Sequence, residues 1–600
     1  MKRRAFALII STIGLLTGSA SLLSQVRLSI VYPQEGDTLR AFAYDSTYIF
    51  GQVSPPHAKL TINDQPVRVY KNGAFLAYLP LAEGEFFFRC LVEADGTQKE
   101  FMRRIFVLKP KRFREGEWGI DPASVEPRLD HQLTIGDRVT VAFQGTPGCR
   151  AYYRLNGGGK LYPMQETAYG ELYYPPAAFG DGSAVRGTGE GWYVGTLILR
   201  PEEIFSWTGI EVLLINAFGD TAAARARGRI ALWPENPPQM AETTRDKTVL
   251  RTQKGKSYAY FLPPGVRCRV TGQVGDYYRI RLSDSEDAWA ESDKVRLLPE
   301  GTPWLPAVVR VVRAEDRGNR TRVRVYTGVR IPYKVEQLFP QQIKVTFFGA
   351  VAHTDWIRRL GAQNAIREIQ WRQESREVFS LILLLRSKHQ WGYRADYDAD
   401  DCFYIDIKKP LARHKGLKGV TVLLDPGHTP DSGAVGPAGI KEKDVNLALA
   451  REAAKELQKR GAKVKWTHQS GEGIALNERA RLAEQSGCDI LLSLHHNAVP
   501  DGVNPLLFHG SSVYYYHPQS EPLARLIHEK LLQKLKLPDF GLFYDNLAMC
   551  RPTSMPAVLI EPAFMIHPLE EMLVQTDIYL RVCSRAIVEG LEEFIRNYGE

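Results

Sequence analysis

Residues 421–428 read Thr-Val-Leu-Leu-Asp-Pro-Gly-His, and this stretch decides the fold of the C-terminal part of the chain. The apolar run Thr421–Leu424 has the composition of a buried strand, and Pro426 and Gly427 predict a tight loop after it. His428 is thereby expected just beyond a strand end, where α/β enzymes commonly hold ligand-binding groups. The stretch predicts an α/β domain with a site at the edge of its sheet.

The chain beyond this stretch alternates between strand and helix patterns, which predicts a mixed sheet flanked by helices. Val445, Leu449 and Leu457 share the apolar face of a helix that Glu442 opens and Gly461 follows. The other predicted elements are strands near 464–467, 490–494 and 557–560, and helices near 476–486, 525–535 and 578–598.

Three more ionisable side chains stand where strands end or a helix begins. Glu442 opens the helix, where an ionised carboxylate is favoured, and His495 and Glu561 each follow an apolar strand. Each has an ordinary structural explanation when taken alone. Together, two imidazoles and one carboxylate can hold Zn²⁺ and leave a position for water, as a catalytic zinc requires. The interpretation is a zinc hydrolase site in which Glu561 moves the proton of that water.

The neighbouring histidines His495 and His496 cannot both point at one metal ion, because successive strand residues face opposite ways. One of them is expected to be a ligand and the other to support the site or to pack. The histidines without a spacing to these motifs are expected to pack or to lie at the surface: His509, His517 and His567.

Several separated motifs resemble, in their order, the zinc-dependent N-acetylmuramoyl-L-alanine amidases often called Amidase_3. The resemblance covers residues 419–597. Its motifs are Leu424–His428, Gly433-Ala434, Gly436-Pro437, Glu442–Leu447, Leu476 with Arg479, Ser493–Ala498, and Pro556–Glu561 with Phe564.

The resemblance implies that His428, Glu442 and His495 bind zinc and that Glu561 is the catalytic glutamate. It adds three candidates for supporting the ligands or contacting substrate: Asn497, His496 and Arg479. Members of this family cleave the amide between N-acetylmuramic acid and L-alanine, so peptidoglycan is the expected substrate.

Two departures from the family pattern bear on substrate shape and rate more than on metal binding. Residues 429–432 read Thr-Pro-Asp-Ser where a glycine-rich loop is common, and Pro562-Ala563 stands where Leu-Gly is frequent. Some members carry an inhibitory helix over the zinc. Residues 497–514 are too short and too interrupted by proline for one, so no such plug is expected.

All-β modules are predicted ahead of this domain, so the fold class is multidomain, with several all-β modules followed by an α/β domain. Pro234, Pro237 and Pro238 mark a linker between two of them. The modules are an Ig-like sandwich at 26–108, a second sandwich-like module at 130–233, a segment at 245–298 that resembles SH3-like barrels, and one at 306–408 that resembles AMIN modules. A spacer that binds no ligand is the alternative for the last module.

The N-terminus predicts export. Lys2-Arg3-Arg4 precedes an apolar stretch and small residues, which is the pattern of a signal peptide at 1–20 that enters the membrane only transiently; an uncleaved anchor is the alternative. The formal charge of +9 is modest for 600 residues, so no nucleic-acid binding is expected. Seven cysteines without a Cys-x-x-Cys pair fit neither a disulfide scaffold nor a thiolate zinc site.

The main hypothesis is an exported, zinc-dependent cell-wall amidase in the periplasm or at the cell surface, whose β modules position it on the envelope. The sequence does not indicate whether an activator protein is required. One alternative is a zinc peptidase of the same fold that acts on wall peptides. The other is a non-catalytic wall-binding protein, against which the complete set of His428, Glu442, His495 and Glu561 argues.

Overall fold

The computed structural model describes residues 26–600 except 42–43, 110–112, 114–116, 168–190, 205, 256, 340, 362–363, 412–415 and 470–472. The predicted signal peptide at 1–20 lies outside the described residues. The described chain forms several β modules followed by a C-terminal α/β domain, which confirms the predicted fold class. A search of its helices finds none with the length and apolar character needed to span a bilayer.

The first module consists of eight strands in two sheets. They are Arg27–Tyr32 (β1), Thr38–Arg40 (β2), Ser46–Ser54 (β3), Lys59–Ile62 (β4), Gln65–Val67 (β5), Ala74–Pro80 (β6), Gly84–Ala94 (β7) and Thr97–Leu108 (β8). The sheet orders are β1-β3-β6 and β2-β8-β7-β4-β5. Because side chains alternate along a strand, Phe75 and Phe88 face the core of this module while Leu76 and Phe87 face outward.

The next region forms one hydrogen-bonded sheet that continues past the predicted linker at Pro234. Its strands are Ile120–Glu126 (β9), His131–Leu133 (β10), Arg138–Gly145 (β11), Arg150–Leu155 (β12), Tyr162–Glu166 (β13), Trp192–Ile198 (β14), Thr208–Ile215 (β15), Thr221–Leu232 (β16), Gln239–Thr243 (β17), Thr248–Arg251 (β18), Tyr258–Leu262 (β19), Arg267–Val274 (β20), Tyr277–Arg281 (β21), Asp287–Glu291 (β22) and Val295–Leu297 (β23). The strand β9 precedes residue 130 and pairs with β11. The strand β10 pairs with both β16 and β20 and so joins the regions on either side of the prolines.

Two further sheets follow, in the orders β28-β24-β25-β32-β31 and β26-β27-β30-β29. Their strands are Ala307–Asp316 (β24), Arg320–Val325 (β25), Tyr333–Phe339 (β26), Gln342–Phe348 (β27), Ala350–Leu360 (β28), Ile366–Ser375 (β29), Val378–Leu385 (β30), Tyr393–Tyr397 (β31) and Phe403–Lys408 (β32). The core between them contains Phe347, Phe379 and Phe403 and continues into the preceding region.

The C-terminal domain has the sheet order β34-β33-β35-β38-β36-β37. Its strands are Thr421–Pro426 (β33), Lys463–Trp466 (β34), Ile490–Leu494 (β35), Ser511–Tyr515 (β36), Asp539–Tyr544 (β37) and Ala557–Glu561 (β38). Its helices are Glu442–Lys459 (α1), Leu476–Gln485 (α2), Glu521–Leu535 (α3), Pro568–Val574 (α4) and Asp577–Tyr598 (α5). The pair β36–β38 is antiparallel and the other neighbours are parallel, so the sheet is mixed as predicted.

The parallel alignment of β33, β35 and β38 positions the site. Their carboxyl ends meet at one edge of the sheet, where Pro426 pairs with Leu494, and Leu494 with Ile560. Every residue of β35 is buried, which explains its uninterrupted apolar character in the sequence. The loops that leave this edge therefore start from fixed positions.

The upstream β region packs directly on this domain. Trp391 is 1% exposed and its ring lies 5.2 Å from that of Phe594 in α5, inside the core of the C-terminal domain. Lys408 forms a buried ion pair with Asp489 at 2.6 Å. The connection between the two parts is therefore a packed interface rather than a loose tether.

Candidate metal centre

The three predicted ligands lie together at the carboxyl edge of the sheet. His428 follows β33, His495 follows β35, and Glu442 begins α1. The Glu442 carboxylate lies between the imidazoles, with Oε2 2.9 Å from His428 Nε2 and Oε1 3.0 Å from His495 Nδ1. The Glu442 side chain is 4% exposed and that of His428 is 28% exposed, so the group opens to solvent on the His428 side.

The orientation of the two imidazole rings suits a shared metal ion. Their centroids are 4.8 Å apart and their planes cross at 77°. Each nitrogen lone pair lies in the plane of its ring, so crossed planes allow two nitrogens to point at one ion. One ligand atom from each of His428, Glu442 and His495 lies within 4.8 Å of the others.

Two glycines make room for this group. A Cβ at Gly427 would overlap the His495 ring, and one at Gly433 would overlap both Glu442 and His428. His428 itself has φ 61°, a left-handed conformation that costs energy for a residue with a side chain and is common at active sites. The tight loop inferred from Pro426 and Gly427 is present.

Asp431 fixes the orientation of His428. The Nδ1 of His428 lies 2.6 Å from Asp431 Oδ1, so an N–H at Nδ1 donates to this carboxylate and leaves Nε2 facing Glu442. Such a carboxylate partner behind a ligating histidine selects its tautomer and raises its basicity. In the sequence, residues 429–432 stand out only as a departure from the family pattern. The overlooked signal is an acid three residues after the ligand.

A buried chain of hydrogen bonds holds Glu442 from behind. Asn446 Nδ2 donates to Glu442 Oε1 at 3.0 Å, and Asn446 Oδ1 lies 2.8 Å from His496 Nδ1. His496 Nε2 lies 2.9 Å from the Tyr579 hydroxyl. Burial lowers the pKa of His496 to about 4 and keeps it neutral, so Nδ1–H donates to Asn446 while Nε2 accepts from Tyr579. His496 thus faces away from His495 and supports the site.

Arg479 lies beneath the ligand loop. Its Nη1 is 3.1 Å from both oxygens of Asp425, and both side chains are buried. Ser493 and Thr467 each donate to Asp425 at 2.7 Å, which satisfies the carboxylate on its other sides. Of the two roles predicted for Arg479, this buried position beneath the strand end at Pro426 fits support of the ligand loop.

Glu561 ends β38 beside the ligand group of His428, Glu442 and His495. Its Oε2 is buried and lacks a hydrogen-bond partner among the described residues. Burial raises the pKa of the Glu561 carboxyl well above its usual value, and the charge of Glu442 raises it further. In Glu442 burial also acts to raise the pKa, but His428 and His495 lower it overall. The two carboxyl groups are therefore differentiated, as an ionised ligand and a proton-transfer group require.

Asn497 connects the loops that follow the two central strands. Its Nδ2 lies 3.2 Å from the Tyr514 hydroxyl and 3.4 Å from Ser512 Oγ, and Ser512 pairs with Glu561 across the sheet. Its backbone forms a bridge with Phe564. Asn497 is therefore adjacent to the Glu561 side of the site. Residues 497–510 contain turns and no helix, and the strand β36 follows from Ser511.

A second group of ligand-type side chains consists of His509, His567 and Glu570. His509 Nδ1 lies 2.5 Å from Glu570 Oε1, and burial lowers the pKa of His567 to about 4. The two rings stack at 4.2 Å with planes only 7° apart. Each lone pair lies in the plane of its ring, and nearly parallel planes 4.2 Å apart do not meet at one ion, so this arrangement does not direct both nitrogens at a shared metal. His517 donates to the Arg551 carbonyl at 2.8 Å and is not part of either group.

The comparison with known proteins places this region in a family. Residues 422–593 match the Amidase_3 family model, described as N-acetylmuramoyl-L-alanine amidase. Two relatives, each called "Probable cell wall amidase LytH", are 33% identical: over 181 residues in Staphylococcus epidermidis and over 192 residues in Staphylococcus aureus. These matches cover 30% and 31% of this chain, and 59% and 63% of the relatives. The chain thus spans about three fifths of the length of the curated relatives it matches.

Solved amidase structures also match the C-terminal domain. The N-acetylmuramoyl-L-alanine amidase from Clostridium difficile 630 has 31% identity and a TM-score of 0.29, covering 30% of this chain and 98% of that one. The catalytic domain of CwlV from Bacillus (Paenibacillus) polymyxa var. colistinus has 28% identity and a TM-score of 0.28, covering 29% and 98%. The family match confirms the resemblance inferred from the motifs of residues 419–597.

Proposed function

We propose that this protein, whose residues 422–593 form an Amidase_3 domain, is a zinc-dependent N-acetylmuramoyl-L-alanine amidase. Its substrate is peptidoglycan, in which it cleaves the amide between N-acetylmuramic acid and the L-alanine of the stem peptide. One observation carries the proposal: His428, Glu442 and His495 converge next to the buried Oε2 of Glu561, which has no hydrogen-bond partner in the described part of the chain.

The donor set fits zinc. Two imidazoles with crossed planes and one carboxylate leave a position open, as catalytic zinc sites do. When bound there, Zn²⁺ polarises the scissile carbonyl and lowers the pKa of water. Cysteine is not a competing ligand type, since His428, Glu442 and His495 form a group without one.

Side chains of the protein then transfer the proton and hold the ligands in position. Glu561 takes a proton from the attacking water at its carboxylate and delivers it to the leaving amine of L-alanine. Asp431 keeps Nε2 of His428 available, and Asn446 holds the Glu442 carboxylate between the two imidazoles. Because Asn446 is fully buried, its amide cannot turn away to water.

The location and the upstream modules belong to the same proposal. The pattern of residues 1–20 and the wall-amidase names of the relatives support export to the periplasm or the cell surface. The β modules at 26–108, 130–233, 245–298 and 306–408, including the SH3-like and AMIN-like ones, then position the enzyme on the envelope.

The test compares products of wild type and Glu561→Gln, an isosteric variant that cannot act as a base. Purified peptidoglycan fragments are incubated with zinc and the full protein, and the products are identified by mass spectrometry. Free stem peptides that begin with L-alanine, present only with wild type, are the expected result. Peptides shortened within the stem, with alanine still bound to muramic acid, would favour the peptidase instead. Intact fragments that co-sediment with both proteins would favour a binding protein.

A further inference from the structure

The outer face of the sheet β1-β3-β6 packs on the C-terminal domain. Three side chains of this face are buried: Tyr48, Phe50 and Leu76. They form one apolar cluster with buried residues of two loops of the C-terminal domain: Val499 and Val503 in the first, and Phe564 and Ile566 in the second. We call the segments 498–508 and 562–567 the docked loops.

Side-chain hydroxyls of the first module also bind the backbone of the first docked loop. Tyr48 donates to the Val499 carbonyl at 2.7 Å, and Tyr78 donates to the Gly502 carbonyl at 2.8 Å. Buried carbonyls without such donors are costly, so these contacts define the path of the loop. A Cβ at Gly502 would overlap the Tyr44 ring, which shows how closely the two surfaces approach.

Asp501 adds a polar anchor at the centre of this contact. Its carboxylate accepts hydrogen bonds from the hydroxyls of Tyr32 and, at 3.4 Å, of Thr47. Both donors belong to the first module and lie more than 450 residues before Asp501 in the sequence. The carboxylate is half-buried, and both of these partners come from the module.

The docked loops continue directly from the strands that carry the chemistry. Val499 follows His495 by four residues, and Phe564 follows Glu561 by three. The second docked loop is also bonded to Asn497, the residue just before the first: Asn497 N donates to the Ala563 carbonyl and Met565 N to the Asn497 carbonyl, each at 2.9 Å. The docked loops are therefore connected through short stretches of backbone to both His495 and Glu561.

We infer that residues 26–108 are a positioning module for the catalytic site: by holding the docked loops, they keep His495 and Glu561 in place. The inference rests on the proposed amidase function and extends it. A module that serves only to attach the enzyme to the wall has no need to contact the loops behind the reacting groups. A misplacement of about 1 Å at a catalytic group can lower the rate about a hundredfold, so such support affects turnover directly.

The test uses the full chain and a soluble muropeptide, so that attachment to the wall plays no part. Leu76→Asp places a charge in the apolar contact, while Phe87→Ala on the opposite sheet, where Phe87 is 41% exposed, is the matched control. We expect Leu76→Asp to lower kcat about 10- to 100-fold at saturating zinc, with KM within about twofold of wild type, and Phe87→Ala to leave kcat unchanged. A wild-type kcat in Leu76→Asp would overturn the inference.

A conservative pair separates positioning from general destabilisation. Asp501→Asn keeps an oxygen that accepts from Tyr32 and Thr47, whereas Asp501→Ala removes it. We expect Asp501→Asn to retain most of the wild-type kcat and Asp501→Ala to lose about tenfold. Equal activity in both variants would contradict a role for this anchor.

Hydrogen–deuterium exchange tests, without an activity assay, whether the first module holds the segment 498–508. In Leu76→Asp, the segment 498–508 should exchange faster while β7 and β8 of the first module stay protected, because the module is released but still folded. Unchanged exchange in 498–508 would overturn the inference even if kcat falls. If wild type hydrolyses no muropeptide, the proposed function fails, while the exchange experiment still decides whether the module holds the loop.

Discussion

Replacing Asn446 with leucine tests how the site holds its carboxylate ligand. Asn446 is fully buried, donates to Glu442 Oε1 at 3.0 Å and to the Gly427 carbonyl at 3.2 Å, and faces His496 through its own oxygen. Leucine has a similar size but removes all three bonds. Glu442 keeps the backbone N–H of His496 at 3.2 Å on Oε1 and that of Ala434 at 2.8 Å on Oε2, so besides the imidazoles the carboxylate loses one of its three donors.

The expected loss of zinc affinity depends on how deeply the supporting side chain is buried. Loss of a partner behind a metal ligand lowers metal affinity about 10- to 100-fold. Because Asn446 is buried and water cannot replace it, we expect Asn446→Leu near the upper end, about a hundredfold, or about 2.7 kcal/mol. Asp431 is 65% exposed, and water can replace it behind His428, so Asp431→Ala should lie near the lower end, about tenfold.

The assay is competition for zinc between the full protein and a chelator of known affinity, at one pH and ionic strength. Circular dichroism and the melting temperature establish that each variant is folded. The expected order of zinc affinity is wild type, then Asp431→Ala, then Asn446→Leu. An Asn446→Leu variant that is folded and binds zinc as tightly as wild type would refute the reasoning, and so would the reverse order of the two variants.

Three further predictions concern the loop, the acid side of the pH range and the buried ion pair. Gly433→Ala should lose zinc, because the added Cβ would overlap Glu442 and His428. Gly439→Ala, also at positive φ but with open space around it, should keep zinc, and elemental analysis measures the zinc content of both variants. Burial lowers the pKa of His389 to about 4, below its value of about 6.5 in the unfolded chain. The neutral, buried imidazole therefore contributes its full stability to the fold above about pH 6.5, and this stability is lost as the pH falls toward 4. The melting temperature of wild type should fall across that range, and more steeply than that of His389→Leu. Arg479→Met leaves its buried carboxylate partner without a cation and should destabilise the C-terminal domain by about 3–5 kcal/mol, seen as a lower urea midpoint; an unchanged midpoint would contradict it.

The sequence predicted the central part of the C-terminal domain because local signals and tertiary structure agree there. The apolar runs that became β33, β35 and β38 are buried on both faces, and each ends at a residue of the site or no more than two residues before one. Parallel strands bring such ends together, so the convergence of the ligands follows from the pattern. The helix predicted from residue 525 begins at Glu521, since proline is tolerated in a first turn.

Other features depend on contacts between distant residues and could not be predicted from local pattern. The side chains that orient the ligands, Asp431 and Tyr579, are ordinary polar residues until the fold places them. The strand β37 and the short helix α4 have weak periodicity and were not predicted. The contact between the first module and the docked loops joins parts of the chain that carry no mutual sequence signal. The sequence predicts these modules as elements that position the enzyme on the envelope, with a spacer as the alternative for the last of them.

The most direct test of the central claim is diffraction from crystals of the full protein at wavelengths on either side of the zinc absorption edge. We predict one anomalous peak within bonding distance of His428 Nε2, His495 Nδ1 and Glu442, with the Glu561 carboxyl beside it. A hydrolytically active protein without a peak at that position would contradict the account. A peak between His509 and Glu570 in its place would contradict it as well.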